Sequence, residues 1–197
     1  EVVMMSSKMT RRQLIGTGAA GLCALALGRR LPAAEGKRRP NVLIITTDQQ
    51  RVDAMSAVGN KWVKTPNMDS LVANGVYFTN SYSPYPLCSP ARAALHTSRM
   101  PHEIGVDRNS VAIDPAVPLS GRIFREAGYD TGYAGKWHCP EVYPTDGFAG
   151  YEALNATTRQ GKLAQAVDEG TMNAAIEFIR RKREKPFLAV VSFINPH

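Results

Sequence analysis

Two apolar runs constrain the fold of this chain more than anything else in it: residues 41 to 47, NVLIITT, and residues 187 to 194, FLAVVSFI. Both are short, rich in β-branched residues and lack the polar alternation of a half-exposed strand. That pattern marks strands buried on both faces of a parallel sheet. Between the two runs, helix and strand signals alternate. Thr65 to Gly75 reads as a helix, with Pro66 near its start and Gly75 as its stop. VYFTNSY (76–82) reads as strand-like, Pro118 to Gly128 as an amphipathic helix, YDTGYA (129–134) as a second short strand, and Asp168 to Lys182 as a further helix. No internal repeat or low-complexity tract interrupts this order. Alternating β and α elements imply an α/β fold, a mainly parallel sheet with helices on both faces. Such sheets carry their ligand sites at the carboxyl ends of the strands.

The residues at those ends bear chemistry. Asp48 closes the first run, where a carboxylate can hold a hard divalent cation or simply cap the turn that follows. Gly135-Lys136-Trp137-His138 follows YDTGYA, and Asn195-Pro196-His197 follows FLAVVSFI. Between the first two lies PLCSPARAALHTSRMP, residues 86 to 101. Pro86 and Pro90 bracket Cys88, and Ala91 to Leu95 are good helix formers. Ser89 therefore reads as an N-cap with Pro90 at the first helical position. Cys88 then stands at a helix N-terminus, where free backbone N–H groups and the positive dipole end favour an anion. Arg92, about one turn on, can hydrogen-bond that anion. Taken alone, Cys88 also reads as a small buried hydrophobe, and single lysines or histidines carry little.

Together the pieces resemble one family. Cys88-Ser89-Pro90-Ala91-Arg92, followed by Ala93-Ala94-Leu95, resembles the sulfatase signature: Cys or Ser, then x-Pro-x-Arg, with the first residue oxidised to a formylglycine aldehyde that hydrates to a diol. The Gly-Lys-Trp-His segment, the Asp48 that precedes the cysteine motif and the Pro-His at 196–197 are similar to the same family, over about residues 40 to 197. The resemblance implies an alkaline phosphatase-like fold and a sulfuric ester hydrolase. It implies Ca2+, with Mg2+ as the alternative, held by Asp48, by Gln49 where the family often has a second Asp, and by the Cys88-derived diol. It also implies that Lys136 holds the sulfate, that Arg51 contacts it, and that Arg92 hydrogen-bonds the diol or the sulfate. His138 positions the diol and helps eject sulfate from a covalent hemiacetal, and His197 serves as general acid or sulfate ligand, since imidazole transfers protons near neutral pH.

The implied substrate is a sulfate ester of a sugar, an aryl alcohol or a small alcohol. A phosphonate monoester or phosphodiester hydrolase of the same superfamily needs much the same residues, and a non-catalytic exported binding domain with Cys88 unoxidised is the reading from another class. One departure stands out. The family usually continues Leu-Thr-Gly-Arg, and here the chain reads His96-Thr97-Ser98-Arg99, so Ser98 in place of glycine is expected to alter the turn that leaves the helix. His96 and His102 match no family catalytic position and read as structural or substrate-edge residues.

Length and charge set the remaining expectations. At 197 residues the chain is much shorter than sulfatases generally are, which suggests the N-terminal part of a catalytic domain over 40–197, lacking the later metal pair, the distal lysine and the C-terminal subdomain. The net charge is +7, but residues 1 to 39 hold eight Lys or Arg against two Glu, an excess of +6, and the remainder carries +1. No basic stripe of the nucleic-acid-binding kind is left. The run RRKREK (180–185) reads as a solvated helix end, where cations complement the dipole. Residues 1 to 39 read as a leader and linker. Thr10-Arg11-Arg12-Gln13-Leu14-Ile15, an apolar stretch to Leu27 and a small-residue region at Leu31-Pro32-Ala33-Ala34 resemble a twin-arginine signal. The implied partners are a sulfated small molecule or glycan, a formylglycine-generating maturation enzyme and the twin-arginine export machinery, in a bacterial periplasmic or secreted setting. Three cysteines are too few for a disulfide framework, and Cys139 reads as a buried thiol.

Overall fold

The computed structural model describes residues 39–140, 149–154 and 164–197. The leader expected over residues 1 to 39, Cys23 included, lies outside them apart from Arg39. Four strands form one sheet in the order β1-β4-β2-β3: β1 is Val42–Asp48, β2 Asp130–Gly135, β3 Glu152–Ala153 and β4 Phe187–Pro196. Every pairing is parallel, as the apolar runs require. Among the described residues four α-helices accompany it, α1 Pro66–Asn74, α2 Cys88–Thr97, α3 Ser120–Glu126 and α4 Ala164–Arg180, with a 3-10 turn at Ser56–Val58.

The unbroken apolar run of β4 follows from its central place. On one face Leu188 and Val190 join Tyr133, Trp137, Ala93, Leu119 and Tyr151 in the main core. On the other, Ala189 and Val191 pack with Phe178, Phe187, Ala134 and Ala175, and three of these four side chains are carried by β4 and α4. Central burial of this kind is worth roughly 1.5 to 3 kcal/mol per large side chain. β1 differs from expectation. Val42 and Ile44 pack against the main core, but Leu43 and Ile45 are 47% and 55% exposed, so only one face is covered. The cause is position: β1 is the edge of the described sheet, and α4 packs on β4 and β2.

Two further local readings are corrected. Residues 76–82 form no strand, and Val76, Phe78 and Tyr82 are exposed; alternation without a neighbouring strand leaves the ladder hydrogen bonds unmade. The helix of the cysteine motif starts two residues earlier than its capping residues suggested. Leu87 is the N-cap, with no side-chain cap bond, and Pro90 lies two residues inside Cys88, still in the first turn where a missing N–H costs nothing. Ser89 is not the cap because its hydroxyl is spent on the His138 carbonyl at 2.6 Å.

The turn after α2 keeps the shape a glycine gives. Ser98 lies in the left-handed region at φ 55, ψ 28 and donates its N–H to the Ala94 carbonyl at 2.9 Å. A side chain there costs about 1–2 kcal/mol, partly offset because serine loses less chain entropy than glycine on folding. Ser98→Gly is therefore expected to raise stability by about 0.5–1 kcal/mol, read as a higher urea midpoint at unchanged slope. Among the described residues no helix is long and apolar enough to cross a membrane.

Candidate active site

The carboxyl ends of three strands and the start of one helix converge. β1 ends in Asp48, β2 runs into Lys136, β4 ends at Pro196 before His197, and α2 begins with Cys88. A register shift between Thr46 and Asp48 brings Asp48 opposite Pro196 rather than opposite Ile194, where the preceding register would have left it. Gly135, at φ +100, lets β2 press against β4. A Cβ there meets the Ser192 carbonyl oxygen at 1.9 Å, and that same oxygen accepts the Lys136 N–H at 2.8 Å.

Asp48 is the electrostatic centre. It is 6% exposed, and its Oδ2 accepts hydrogen bonds from Lys136 Nζ at 2.7 Å and Arg92 Nη2 at 3.0 Å. Burial opposes its ionisation, but the hydrogen bonds from Lys136 and Arg92 outweigh it and hold the pKa below the usual 3.8. The carboxylate is therefore charged wherever the protein is folded at ordinary pH. Lys136 Nζ also lies 3.8 Å from Cys88 Sγ, so one ammonium spans the carboxylate and the thiol. Asp48, Cys88 and His197 each present a ligand atom, all within 4.8 Å of one another. An open cavity of about 450 Å³ borders Asp48, Gln49, Cys88 and Arg92, with Tyr85 and Leu95 on its apolar side.

Arg92 sits beneath the site. Only 9% exposed, it donates from Nη1 to the Lys136 carbonyl and to Ser192 Oγ, both at 2.7 Å, and from Nη2 to Asp48. It thereby ties β1, β4 and the segment after β2 to one guanidinium. These bonds run to protein groups, while part of the residue borders the cavity. His138 stands at the exposed rim, at φ 57, with its pKa pushed down by partial burial and by the cations Lys136 and Arg92. Gln49 is exposed and shares that positive φ of 57. Two non-glycine residues held in this region each follow a residue or segment of the site, Asp48 and Gly135-Lys136-Trp137, and backbone strain of this kind gathers at working sites. Arg51 is paired through its guanidinium with Asp53 at 2.8 and 2.9 Å in solvent, and it is not among the residues that border the cavity. His102 is exposed, and His96 is buried among aromatic rings.

Several supporting residues carried no sequence signal, or a faint one. Ser192, the one hydroxyl in FLAVVSFI, is fully buried and bonded by Arg92 and Thr46. Tyr133 OH donates to the same Lys136 carbonyl at 2.7 Å. Asp168 on α4 accepts from the Ile194 and Asn195 N–H groups and from Asn195 Nδ2, at 2.7 to 2.9 Å, and so pins the strand end that carries His197. Asn109 Oδ1 accepts the Ser89 N–H in the first turn of α2.

At the strand ends of this parallel α/β sheet a carboxylate, an ammonium and two imidazoles gather beside the thiol that heads α2, a set of groups suited to holding an anion. Residues 40–197 match the family model described as Sulfatase, and the chain belongs to the sulfatase family. It is 32% identical over 193 residues to the uncharacterized sulfatase YidJ of Escherichia coli (strain K12), covering 81% of this chain and 39% of that protein. It is 29% identical over 181 residues to the N-acetylglucosamine-6-O-sulfatase of Bacteroides thetaiotaomicron, covering 84% and 32%. Among solved structures, the phosphonate monoester hydrolase of Agrobacterium radiobacter superposes with a TM-score of 0.64 at 28% identity, covering 81% of this chain and 41% of that one. The fold is alkaline phosphatase-like. The chain spans 32 to 39% of the length of these curated relatives.

Proposed function

We propose that this chain is the nucleophile-bearing N-terminal part of a sulfuric ester hydrolase in which Cys88 works as formylglycine. The observation that carries the reading is the junction at Lys136 Nζ, 2.7 Å from the Asp48 carboxylate and 3.8 Å from Cys88 Sγ, at the head of α2. A sulfate ester is an anion. Lys136 and the positive dipole end of α2 attract it, and their positive potential favours the charge that builds as the ester bond breaks. Cys88, as the hydrated aldehyde, provides the attacking oxygen beside Lys136. His138, whose lowered pKa keeps the ring neutral near pH 7, accepts a proton from that diol; His197 delivers one to the departing alcohol oxygen. Arg92 orients Asp48 and Lys136 from below. The donor set fits a hard divalent cation such as Ca2+ once Cys88 bears oxygen, because Asp48, the Gln49 amide and the diol then all offer oxygens around one cavity. Bound there, such an ion supplies positive charge to neutralise the sulfate.

The likeness to an N-acetylglucosamine-6-O-sulfatase favours a sulfated sugar as substrate class. The phosphonate monoester hydrolase neighbour supports the second reading, in which the same residues act on a phosphonate monoester or phosphodiester. The binding-domain reading loses one of its supports, since Ser98 keeps the glycine-like turn. In this proposal residues 1 to 39 direct twin-arginine export to a periplasmic or extracellular location after cytoplasmic oxidation of Cys88.

Mass spectrometry of the tryptic peptide ending at Arg92, from full-length protein made in a host with the maturation enzyme, is the test. An aldehyde at position 88 and faster turnover of an aryl sulfate than of the matched aryl phosphonate are expected. An intact thiol at position 88 would overturn the proposal, and a faster phosphonate would transfer the reaction to the second reading.

A further inference from the structure

The three ligand atoms gathered at the site do not form a calcium set while Cys88 is a thiol. Asp48 offers a carboxylate oxygen, Cys88 a sulfur and His197 an imidazole nitrogen, all mutually within 4.8 Å. Calcium takes six to eight oxygens, whereas one thiolate, one imidazole and one carboxylate are the donors that Zn2+ and similar thiophilic divalent ions prefer. We propose that the unmodified, thiol form of this protein binds Zn2+ through Asp48, Cys88 and His197, with the fourth position open to water or an anion. The proposal shares side chains with the hydrolase reading above but concerns the state in which Cys88 has not been oxidised.

The geometry allows it. Zinc–ligand bonds of about 2.0 to 2.3 Å set tetrahedral donors roughly 3.3 to 3.7 Å apart, so the three atoms need to close by about an ångström. Asp48 is buried and fixed, while Cys88 is half-buried and His197 exposed, so both partners have room to rotate toward it. Lys136 and Arg92 both bond Asp48 through Oδ2, so these two cations do not occupy Oδ1. On binding, the Cys88 S–H proton passes to solvent as the Zn–S bond forms, and His197 binds through a neutral ring nitrogen, with no change of oxidation state. The ammonium of Lys136, 3.8 Å from the sulfur, repels the dication. Three protein ligands with two cations nearby make this a weaker site than a closed four-ligand one. Cys139 does not compete, because burial pushes its thiol up to about 12 and leaves it 2% exposed.

Cobalt(II) is the probe, added to the full chain prepared with Cys88 as the thiol. A sulfur-to-cobalt charge-transfer band in the near ultraviolet, with the visible bands of tetrahedral Co2+, is expected, and both should vanish when Zn2+ is added but persist in excess Ca2+. Cys88→Ser should abolish the charge-transfer band and weaken Zn2+ binding by at least about 100-fold, while His197→Ala should weaken Zn2+ binding and keep the band. Zn2+ should also slow alkylation of Cys88 by iodoacetamide, with EDTA restoring the rate. Absence of the band in the unsubstituted protein, or unchanged Zn2+ affinity in Cys88→Ser, overturns the proposal. Neither outcome depends on whether the matured protein hydrolyses a sulfate ester, so failure of one idea is told apart from failure of the other.

Discussion

Replacing Arg92 with methionine is expected to cost the protein about 3 kcal/mol or more. Arg92 and Asp48 are both buried, and removing one partner of a buried pair typically costs about 3–5 kcal/mol because the other charge is left without compensation. Lys136 stays on Asp48 Oδ2, which places the loss toward the lower end of that range. Two further acceptors are affected. The Lys136 carbonyl keeps Tyr133 as a donor, and Ser192 Oγ keeps Thr46. Methionine nearly preserves the side-chain volume, so a cavity contributes little. For a domain of this size the melting temperature should fall by roughly 6 to 12 °C, read by calorimetry. A fall below about 2 °C would mean that the guanidinium is not the tie between the three strand ends.

Acid should destabilise the protein well above the range in which carboxylates titrate, and His96 is the reason. Its ring is 3% exposed and lies 4.8 Å from Trp137, 5.7 Å from Tyr133 and 5.9 Å from Tyr151, with Nδ1 3.4 Å from Ser120 Oγ. Burial, and then the charge of Arg92, pushes its pKa down from 6.5 to about 3. The unfolded chain therefore binds a proton near pH 6.5 that the folded protein refuses until about pH 3. Stability is full above pH 6.5 and falls on acidification by about 1.4 kcal/mol per pH unit, or about 3 kcal/mol by pH 4.5. Asp48, held below 3.8, adds its own loss only at lower pH. His138, also lowered, acts in the same direction, so the comparison must isolate position 96. Urea unfolding of the protein and of His96→Gln at pH 7.0, 5.5 and 4.5 does this, because the variant should lose most of the slope whatever its absolute stability. Parallel slopes in the two proteins would remove His96 from the account.

His96 also shows where reading residues in order stops. Nothing in HTSR separates a caged, uncharged imidazole from one at the edge of a substrate site; the cage is assembled from Tyr133, Trp137 and Tyr151, distant in the chain. Ser192 was faintly visible as a hydroxyl in an apolar run, but its partner Arg92 is 100 residues away. Asp168 reads only as a polar residue in a helix until β4 is laid beside it. The misreadings share a cause. The strand signal at 76–82 and the two-faced burial assigned to β1 both depend on neighbours that local pattern does not specify. Arg51 looked available for an anion because its pairing with Asp53 is a matter of side-chain geometry.

What the sequence determined by itself was the local chemistry: parallel strands from continuous β-branched runs, helices from their prolines and glycines, and the residue types that end each element, from Asp48 and Cys88 to Lys136, His138 and His197. These follow from properties a few residues long. The tertiary structure alone decided which of those ends meet, that Lys136 bridges Asp48 and Cys88, and that Arg92 lies under the site holding strand ends together. The reason is physical: a buried charge must find its partners wherever packing brings them, and sheet order and a single register shift set those distances across more than a hundred residues of chain.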